Sequence, residues 1–569
     1  MTIMNKYIKP FFVLLISGLV LFSSCTDGFL ETNTNVETTK DVEPERFLYN
    51  VQVSTKSSSW EWYYDYYAAQ MRWMQYGVRI IGNTRTTYTI FNSNIGEQRY
   101  RLCWLNTGSY ARHLEYYVNK NMPDKAAQYS NVIEAARVTL IYQGIITSDF
   151  HGSLAYTEGW GFRSGSNIEE PKFETQKELY DIWDAELKAA IAKFKSNKDQ
   201  ISFANYDLAF RGDVSKWIKT ANALRLRIAN RLMKRDLAKA KAIATEVLAS
   251  PDAELPTSYT DSFVFWLEMK YSDNGDYQAV EDLIRASNGM MNYLNKYNDP
   301  RRRMFFRINN LTPEYVAEYN AENPNNKIPA ELIGQRWLGG TANYDLVTTS
   351  DYEKIKFDRK TLDPSNRAIN MQAVNRPQTR LFSGSYDGGN GGTWFPNITQ
   401  ADFSFMAAEF VLEGVASSKT AEQWYTAGVE GSLRLWNYAG NYCEIHDYKA
   451  MTDDEISTFM NQPDIKWNPA KGKEQIYVQT YIEDFKNSNE GWALWKRTGY
   501  PSTSSSILAL EECTVDNVKQ TPPRRYRFAI PLEGTPNYAN QKEKLETMMA
   551  DPDFGDPASE FGRIWWDNK

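Results

Sequence analysis

Apolar residues recur at three- and four-residue spacing in several separate stretches of the chain, and each stretch predicts an amphipathic helix. Between residues 130 and 150 the periodic set is Val132, Ala135, Ala136, Thr139, Leu140, Gln143 and Ile146, with Ser130 as the expected N-cap. Residues 176–194, opening after Thr175, bring Leu179, Trp183, Leu187, Ala190 and Phe194 to one face. Residues 214–250 divide into two helices, the first capped by Asp213 and the break falling near Asp236. Residues 402–439 divide in the same way at 417–420, with Thr420 capping the second helix. Helix pairs of ~34 residues, rich in small side chains, predict tetratricopeptide-like stacking in which each pair buries its face on the next. No crisp repeat consensus recurs, so the pattern alone leaves that stacking open. Residues 251–275 and 309–396 carry no clear period and predict long irregular segments, which in a compact domain usually bear function.

One stretch has too much apolar surface for a surface helix. Residues 59–77 hold eight aromatics in nineteen positions. On a helix they form two stripes, Trp60, Tyr63, Tyr64, Tyr67, Met71 and Met74 against Trp62, Tyr66, Ala69, Trp73 and Tyr76. A helix at a surface needs one face to bury, so one stripe is in excess. The narrower one, through Trp62, Tyr66 and Trp73, is expected to be partly exposed.

At the N-terminus Lys6 and Lys9 precede a twelve-residue, mainly apolar run, 11–22, followed by Ser23, Ser24 and Cys25. Twelve is too few for the ~20 that span a bilayer, so residues 1–24 read as a signal peptide. Small residues before Cys25 resemble a bacterial lipobox, which predicts Cys25 as a lipidated first residue held at a membrane by its acyl chains. Residues 26–45 are polar and poor in apolar side chains, the composition of a flexible tether, and the folded body is expected over 46–569. Losing Lys6 and Lys9 and no acid takes the formal charge from −7 to −9, which disfavours nucleic-acid binding. Cys103, Cys443 and Cys513 then remain, enough for at most one disulfide and too few for a disulfide scaffold.

Candidate chemistry is sparse. The three histidines, His113, His151 and His446, are isolated, so no zinc motif is present, and residues 161–166 lack the glycine spacing of a serine nucleophile elbow. The glycine-rich 387–392 lacks the flanking elements of a dinucleotide fold and reads as a loop. Asp273, Asn274, Asp276 and Glu281 cluster, yet their order does not match a calcium hand loop; calcium is possible without being indicated, and a solvated turn is expected. No catalytic residue, metal ligand or cofactor is assigned.

Particular stretches resemble a known family. Residues 474–501, EQIYVQTYIEDFKNSNEGWALWKRTGYP, then PPRRYRFAIPLEGTPNYAN over 522–540 and the terminal RIWWDNK, are similar to the closing pattern of the SusD/RagB-like outer-membrane nutrient-binding lipoproteins. DFHGSLAYTEG (149–159), GDVSKWIKTANALRLRIANRL (212–232), YNDPRRRMFF (297–306) and ITQADFSFMAAEFVLEGVA (398–416) follow the family's order, so the resemblance covers essentially the whole chain. It implies a mainly α fold in which tetratricopeptide-like helix pairs support a loop-rich lobe. It also implies a non-enzymatic, lipid-anchored protein at the outer membrane, facing the cell exterior, that captures oligosaccharide as the lid of a SusC-like TonB-dependent transporter. A peptide-binding RagB-type member is the alternative; a glycoside hydrolase or a purely structural scaffold fits less well. Trp495, Arg497, Tyr500, Trp565 and Trp566 lie in the shared motifs and are expected to be structural.

Sugar recognition needs flat apolar faces with hydrogen-bonding groups at the rim. The expected ligand-facing aromatics are those outside the shared motifs: Trp60, Trp62, Tyr66, Trp73, Tyr76, Trp266, Tyr271, Trp337, Tyr386 and Trp394. Burial in the core is the ordinary fate of any one of them, and two or three are expected to line a pocket.

Overall fold

The computed structural model describes residues 42–56, 66, 69–79, 88, 97–161, 165–196, 198–267, 284–325, 327–347, 357–359, 369–371, 373–385 and 388–568. Its helices of eight residues or more are α1 (Arg46–Lys56), α2 (Ser109–Asn121), α3 (Ser130–His151), α4 (Gln176–Ser196), α5 (Val214–Leu232), α6 (Leu237–Leu248), α7 (Asn288–Lys296), α8 (Pro313–Glu322), α9 (Gln400–Leu412), α10 (Ala421–Tyr442), α11 (Asp453–Met460), α12 (Gly472–Glu483), α13 (Ser488–Thr498) and α14 (Tyr538–Met549). Short strands pair two by two and antiparallel: β1 (Gly77–Arg79) with β3 (Ile284–Ala286), β2 (Phe263–Leu267) with β6 (Thr393–Ile398), β4 (Phe357–Arg359) with β5 (Ile369–Met371), and β7 (Thr514–Val515) with β8 (Val518–Lys519). The chain is mainly α, and residues 47–569 form one compact unit.

Local signals account for most helix starts. Thr175 and Glu178 cap α4 reciprocally through Thr175 N to Glu178 Oε2 (2.8 Å) and Glu178 N to Thr175 Oγ1 (3.3 Å). Asp213 caps α5 and Asp236 caps α6. Thr399 with Asp402, Thr420 with Gln423 and Thr452 with Glu455 form capping boxes at α9, α10 and α11. Ser130 does not cap: the short 3₁₀ helix Pro123–Tyr129 runs directly into α3, so Ser130 already lies inside the helix. Within the stretch expected to be irregular, Thr312 caps α8 and Pro313 sits at its first turn, and Leu311, Val316, Tyr319, Ile328 and Ala373 close a small separate core.

The helices stack as successive pairs, α3 on α4, α4 on α5, α5 on α6, α9 on α10 and α9 on α12. At the centre α5 touches α3, α4, α6 and α9, and every residue from Thr220 to Leu232 is buried, arginines included. A buried arginine needs acceptors. Arg225 meets Asp184 at 2.7 Å, and Arg227 meets Asp402 at 3.1 Å and Glu490 at 3.2 Å. Arg231 meets Asp149 at 3.0 Å and Glu490 at 2.7 Å.

The C-terminal segments lock onto that centre. Arg497 makes a two-pronged pair with Glu409 at 2.6 and 2.8 Å, while Gly499 ends α13 with φ +76°, the left-handed conformation that favours glycine. Trp566 donates from Nε1 to Asp149 Oδ1 at 2.9 Å, and Arg524 grips Asp567 at 2.5 and 2.8 Å. Trp566 is fully buried, and Trp495, Tyr500 and Trp565 pack half-buried on the core, so the shared motifs build the body. Lys496 is buried as well, its Nζ 3.6 Å from the Trp492 ring centroid and 3.2 Å from Asp149 O, and burial pushes its ammonium down to about 7.

The described part of the aromatic run corrects the expected exposure. Tyr66, Trp73 and Tyr76 are all buried. Tyr66 donates to Asn489 Oδ1 at 2.8 Å, Trp73 packs on Trp492 and Tyr526 at 5.5 and 5.8 Å, and Tyr76 stacks on Tyr481 at 4.3 Å and 10°. The cause is a second layer that the helical wheel cannot supply: α12 and α13, some 400 residues later in the chain, cover this stripe. Gly491 makes the approach possible, since a Cβ there would lie 2.1 Å from Tyr76 Oη. Trp60 and Trp62 lie outside the described residues, as does Cys25.

Cys103, Cys443 and Cys513 are buried and free. Among the described residues no helix is long and apolar enough to cross a membrane, and no His, Cys, Asp and Glu group is arranged to hold a metal ion.

Candidate functional site

In β2 the continuous burial breaks at one place. Phe263, Val264, Phe265 and Leu267 are buried, while Trp266 is half-buried. The register sets Trp266 opposite Trp394 of β6, and the two indoles stack at 5.6 Å and 16°. Trp394 is fully buried and backs the partly open Trp266. From below, Lys486 donates its Nζ to Trp394 O.

The last turns of α10 complete an aromatic surface. Tyr438 and Tyr442 are one turn apart, so both project towards the same side of the helix. Their rings meet Trp266 edge-on at 4.9 and 5.0 Å, and lie nearly parallel to each other at 6.3 Å and 21°. Tyr442 is fixed by donation from its hydroxyl to Leu267 O at 2.8 Å, whereas Tyr438 is 46% exposed. A tyrosine left this open on a rigid aromatic neighbour offers a flat apolar face with a polar edge.

A glycine-rich loop borders the surface. Gly391 N donates to Gly384 O at 2.9 Å, and Gly392 N donates to Asn390 Oδ1 at 2.7 Å. A Cβ on Gly384 would come within 2.4 Å of the Gly391 backbone, and one on Gly392 within 3.0 Å of Tyr442 O. Glycine is therefore needed for the loop to lie against α10. Arg380 ties its base to the helix end by donating Nη1 to Glu444 O at 2.6 Å. Polar residues occur in the bordering segments: Arg380 and Asn390 on the loop side, and the exposed Asn441 and Glu444 at the end of α10. Burial pushes the neighbouring Cys443 thiol up to about 12, which disfavours its thiolate form.

Trp337 lies elsewhere, in a cleft of about 350 Å³ shared with Tyr297, Arg302, Arg303, Asp454 and Phe459. The Arg302 guanidinium covers the Trp337 ring at 4.8 Å, a cation–π contact that occupies one face. The expected ligand-facing aromatics therefore separate into three groups. Tyr66, Trp73, Tyr76 and Trp394 are buried in the core, which corrects that expectation for all four: each is covered by packing from distant segments. Trp266 and Trp337 are half-buried in two different places. Trp60, Trp62, Tyr271 and Tyr386 lie outside the described residues, as do Asp273, Asn274, Asp276 and Glu281. Sequence reasoning missed Tyr438 and Tyr442; the available signal was two tyrosines four apart at a helix end.

The arrangement can bind and orient a ligand with flat apolar faces. Comparison with known proteins agrees with the architecture. The sequence matches a SusD-like family described as "Starch-binding associating with outer membrane" over residues 33–359 and 360–529. No curated protein sequence matches the chain. Among solved structures, a protein described as chitin-binding superposes with a TM-score of 0.68 at 19% identity, over 92% of this chain and 100% of its own. A SusD homolog from Bacteroides fragilis gives 0.66 at 18% identity over 92% and 100%, and a chitin-binding SusD homolog from Flavobacterium johnsoniae gives 0.62 at 18% over 92% and 98%. At these identities the likeness establishes the fold. The match across most of the sequence establishes more: the chain belongs to the SusD-like family, whose members associate with the outer membrane.

Proposed function

We propose that the protein is a glycan-binding lipoprotein of the outer membrane, anchored through Cys25 and facing the cell exterior, that captures oligosaccharide on the Trp266, Tyr438 and Tyr442 surface. The observation that carries this reading is the half-open Trp266 beside the exposed Tyr438, held on buried Trp394 and framed by polar side chains. Pyranose rings present C–H faces to such a surface and hydroxyls to its rim, and a preformed platform loses little entropy on binding. The starch-binding description of the family and the chitin-binding descriptions of two solved structures support the ligand class.

Captured oligosaccharide passes intact to a SusC-like TonB-dependent barrel over which the protein acts as a lid. Binding without turnover agrees with the family's description, which names starch binding. The test is calorimetric titration of the mature protein with maltohexaose, chitohexaose and a peptide mixture, with a reducing-end assay on the same samples. Binding of a sugar with no new reducing ends is expected. Binding of peptides alone would transfer the protein to the peptide-importing branch of the family, and release of reducing ends would make it a hydrolase.

A further inference from the structure

A second cleft lies on another side of α10, between that helix, α11 and residues 465–467, and measures about 420 Å³. At ~100° per residue, Val429 on its wall points half a turn away from Tyr438, while Arg434 at its mouth lies one turn before Tyr438 on the same side of α10. Trp266, Tyr438 and Tyr442 do not line the cleft, so the two places are neighbouring but distinct.

The cleft has its own aromatic wall. Trp467 is half-buried, tilted against Tyr425 at 5.2 Å and 45°, and a Cβ on Gly472 would come within 2.7 Å of its indole. Tyr425 is held in turn by donation to Ile465 O at 2.7 Å. Packing from both neighbours fixes the indole before any ligand arrives, and its remaining surface lines the cleft with Val429, Ile456 and Met460.

The rim is polar and of mixed sign. Arg434 bridges the mouth, reaching Glu430 at 2.9 Å and Asp453 at 3.3 Å, so α10 and α11 are tied across the opening. Glu422, Lys466, Thr426 and Asn461 add exposed donors and acceptors. Three carboxylates against two cations disfavour an anionic ligand. An apolar floor with one fixed aromatic ring and alternating donors and acceptors suits a neutral polyol ring, and the volume falls within the ordinary range for small-ligand clefts, ~300–1,000 Å³.

We infer that this cleft is a second, independent sugar-binding site that takes one or two neutral pyranose units, with Trp467 as its stacking residue. The inference rests on the reading of the protein as a glycan binder. With sites on two sides of one helix, a long glycan can engage both, or two chains can be held at once, which raises avidity without new contacts.

The experiment is calorimetry on the mature protein with maltohexaose and chitohexaose, comparing wild type, Trp467→Ala, Thr426→Trp and Tyr438→Ala. Thr426 is exposed at the cleft, so a tryptophan there fills the opening without touching the core. Two binding events are expected for wild type with the sugar that binds; Trp467→Ala and Thr426→Trp are expected to remove the same event, and Tyr438→Ala to weaken the other. Thermal unfolding checks that Trp467→Ala folds, and Thr426→Trp carries the test if it does not. A stoichiometry unchanged by Thr426→Trp overturns this inference and leaves the proposed function standing. Absence of any sugar binding overturns both.

Discussion

Two tryptophan-rich regions of this molecule use the same side chain in opposite ways. In the C-terminal lock, Trp566 and Trp492 are buried and their indole N–H groups are committed, to Asp149 Oδ1 at 2.9 Å and to Pro523 O at 2.8 Å. On the aromatic surface, Trp266 is half-buried and packs on Trp394 behind and two tyrosines at its edge, one of them 46% exposed. The first arrangement joins segments hundreds of residues apart; the second leaves flat surface uncovered. What separates a structural aromatic from a recognition aromatic here is which distant segment arrives to cover it.

The largest expected effect lies in the lock. Asp149 accepts from Arg231 and from Trp566, and Asp149→Ala leaves the buried Arg231 guanidinium with Glu490 alone and strands the Trp566 indole N–H. Breaking one side of a buried pair typically costs ~3–5 kcal/mol, so urea unfolding is expected to show a loss of that order. A loss below ~1 kcal/mol would mean that the pair behaves like a surface bridge.

Lys496 gives an effect that is smaller per pH unit and has a definite sign. Burial lowers its ammonium from 10.5 to about 7, so between those pH values the unfolded chain holds a proton that the folded chain has released. Its contribution to stability therefore rises with pH across that window, by up to ~1.4 kcal/mol per unit, and is constant below it, where both states are protonated. Lys496→Met is expected to lose this rise when urea midpoints are compared with wild type from pH 7 to 10. An identical slope in both would refute the assignment.

Much of the fold could be read from local pattern. The caps at Thr175, Asp213, Asp236 and Thr420 and the paired helices follow from residues within a few positions of one another. Ser130 misled because a preceding turn of helix supplied its own continuation. The site was less legible. Periodicity shows that residues 59–77 have two apolar faces, yet the cover for Tyr66 and Tyr76 comes from Asn489 and Tyr481. Trp266 and Trp394 were both candidates, and only the strand register shows that one shields the other. Tyr438 falls inside the stretch expected to be helical and Tyr442 just beyond it, and neither stands out because nothing local marks the end of α10 as uncovered.

The central claim is that the Trp266, Tyr438 and Tyr442 surface binds sugar while the buried Tyr66, Trp73 and Tyr76 support the body. Tyr438→Ala and Trp73→Ala, measured side by side for sugar affinity and thermal unfolding, test it most directly. Tyr438→Ala is expected to weaken the event at that surface about tenfold, ~1.4 kcal/mol, with stability within ~0.5 kcal/mol of wild type. Trp73→Ala is expected to lose ~3–5 kcal/mol of stability, with the affinity of the folded fraction unchanged. Full sugar affinity in Tyr438→Ala, or lost affinity at unchanged stability in Trp73→Ala, would contradict the account.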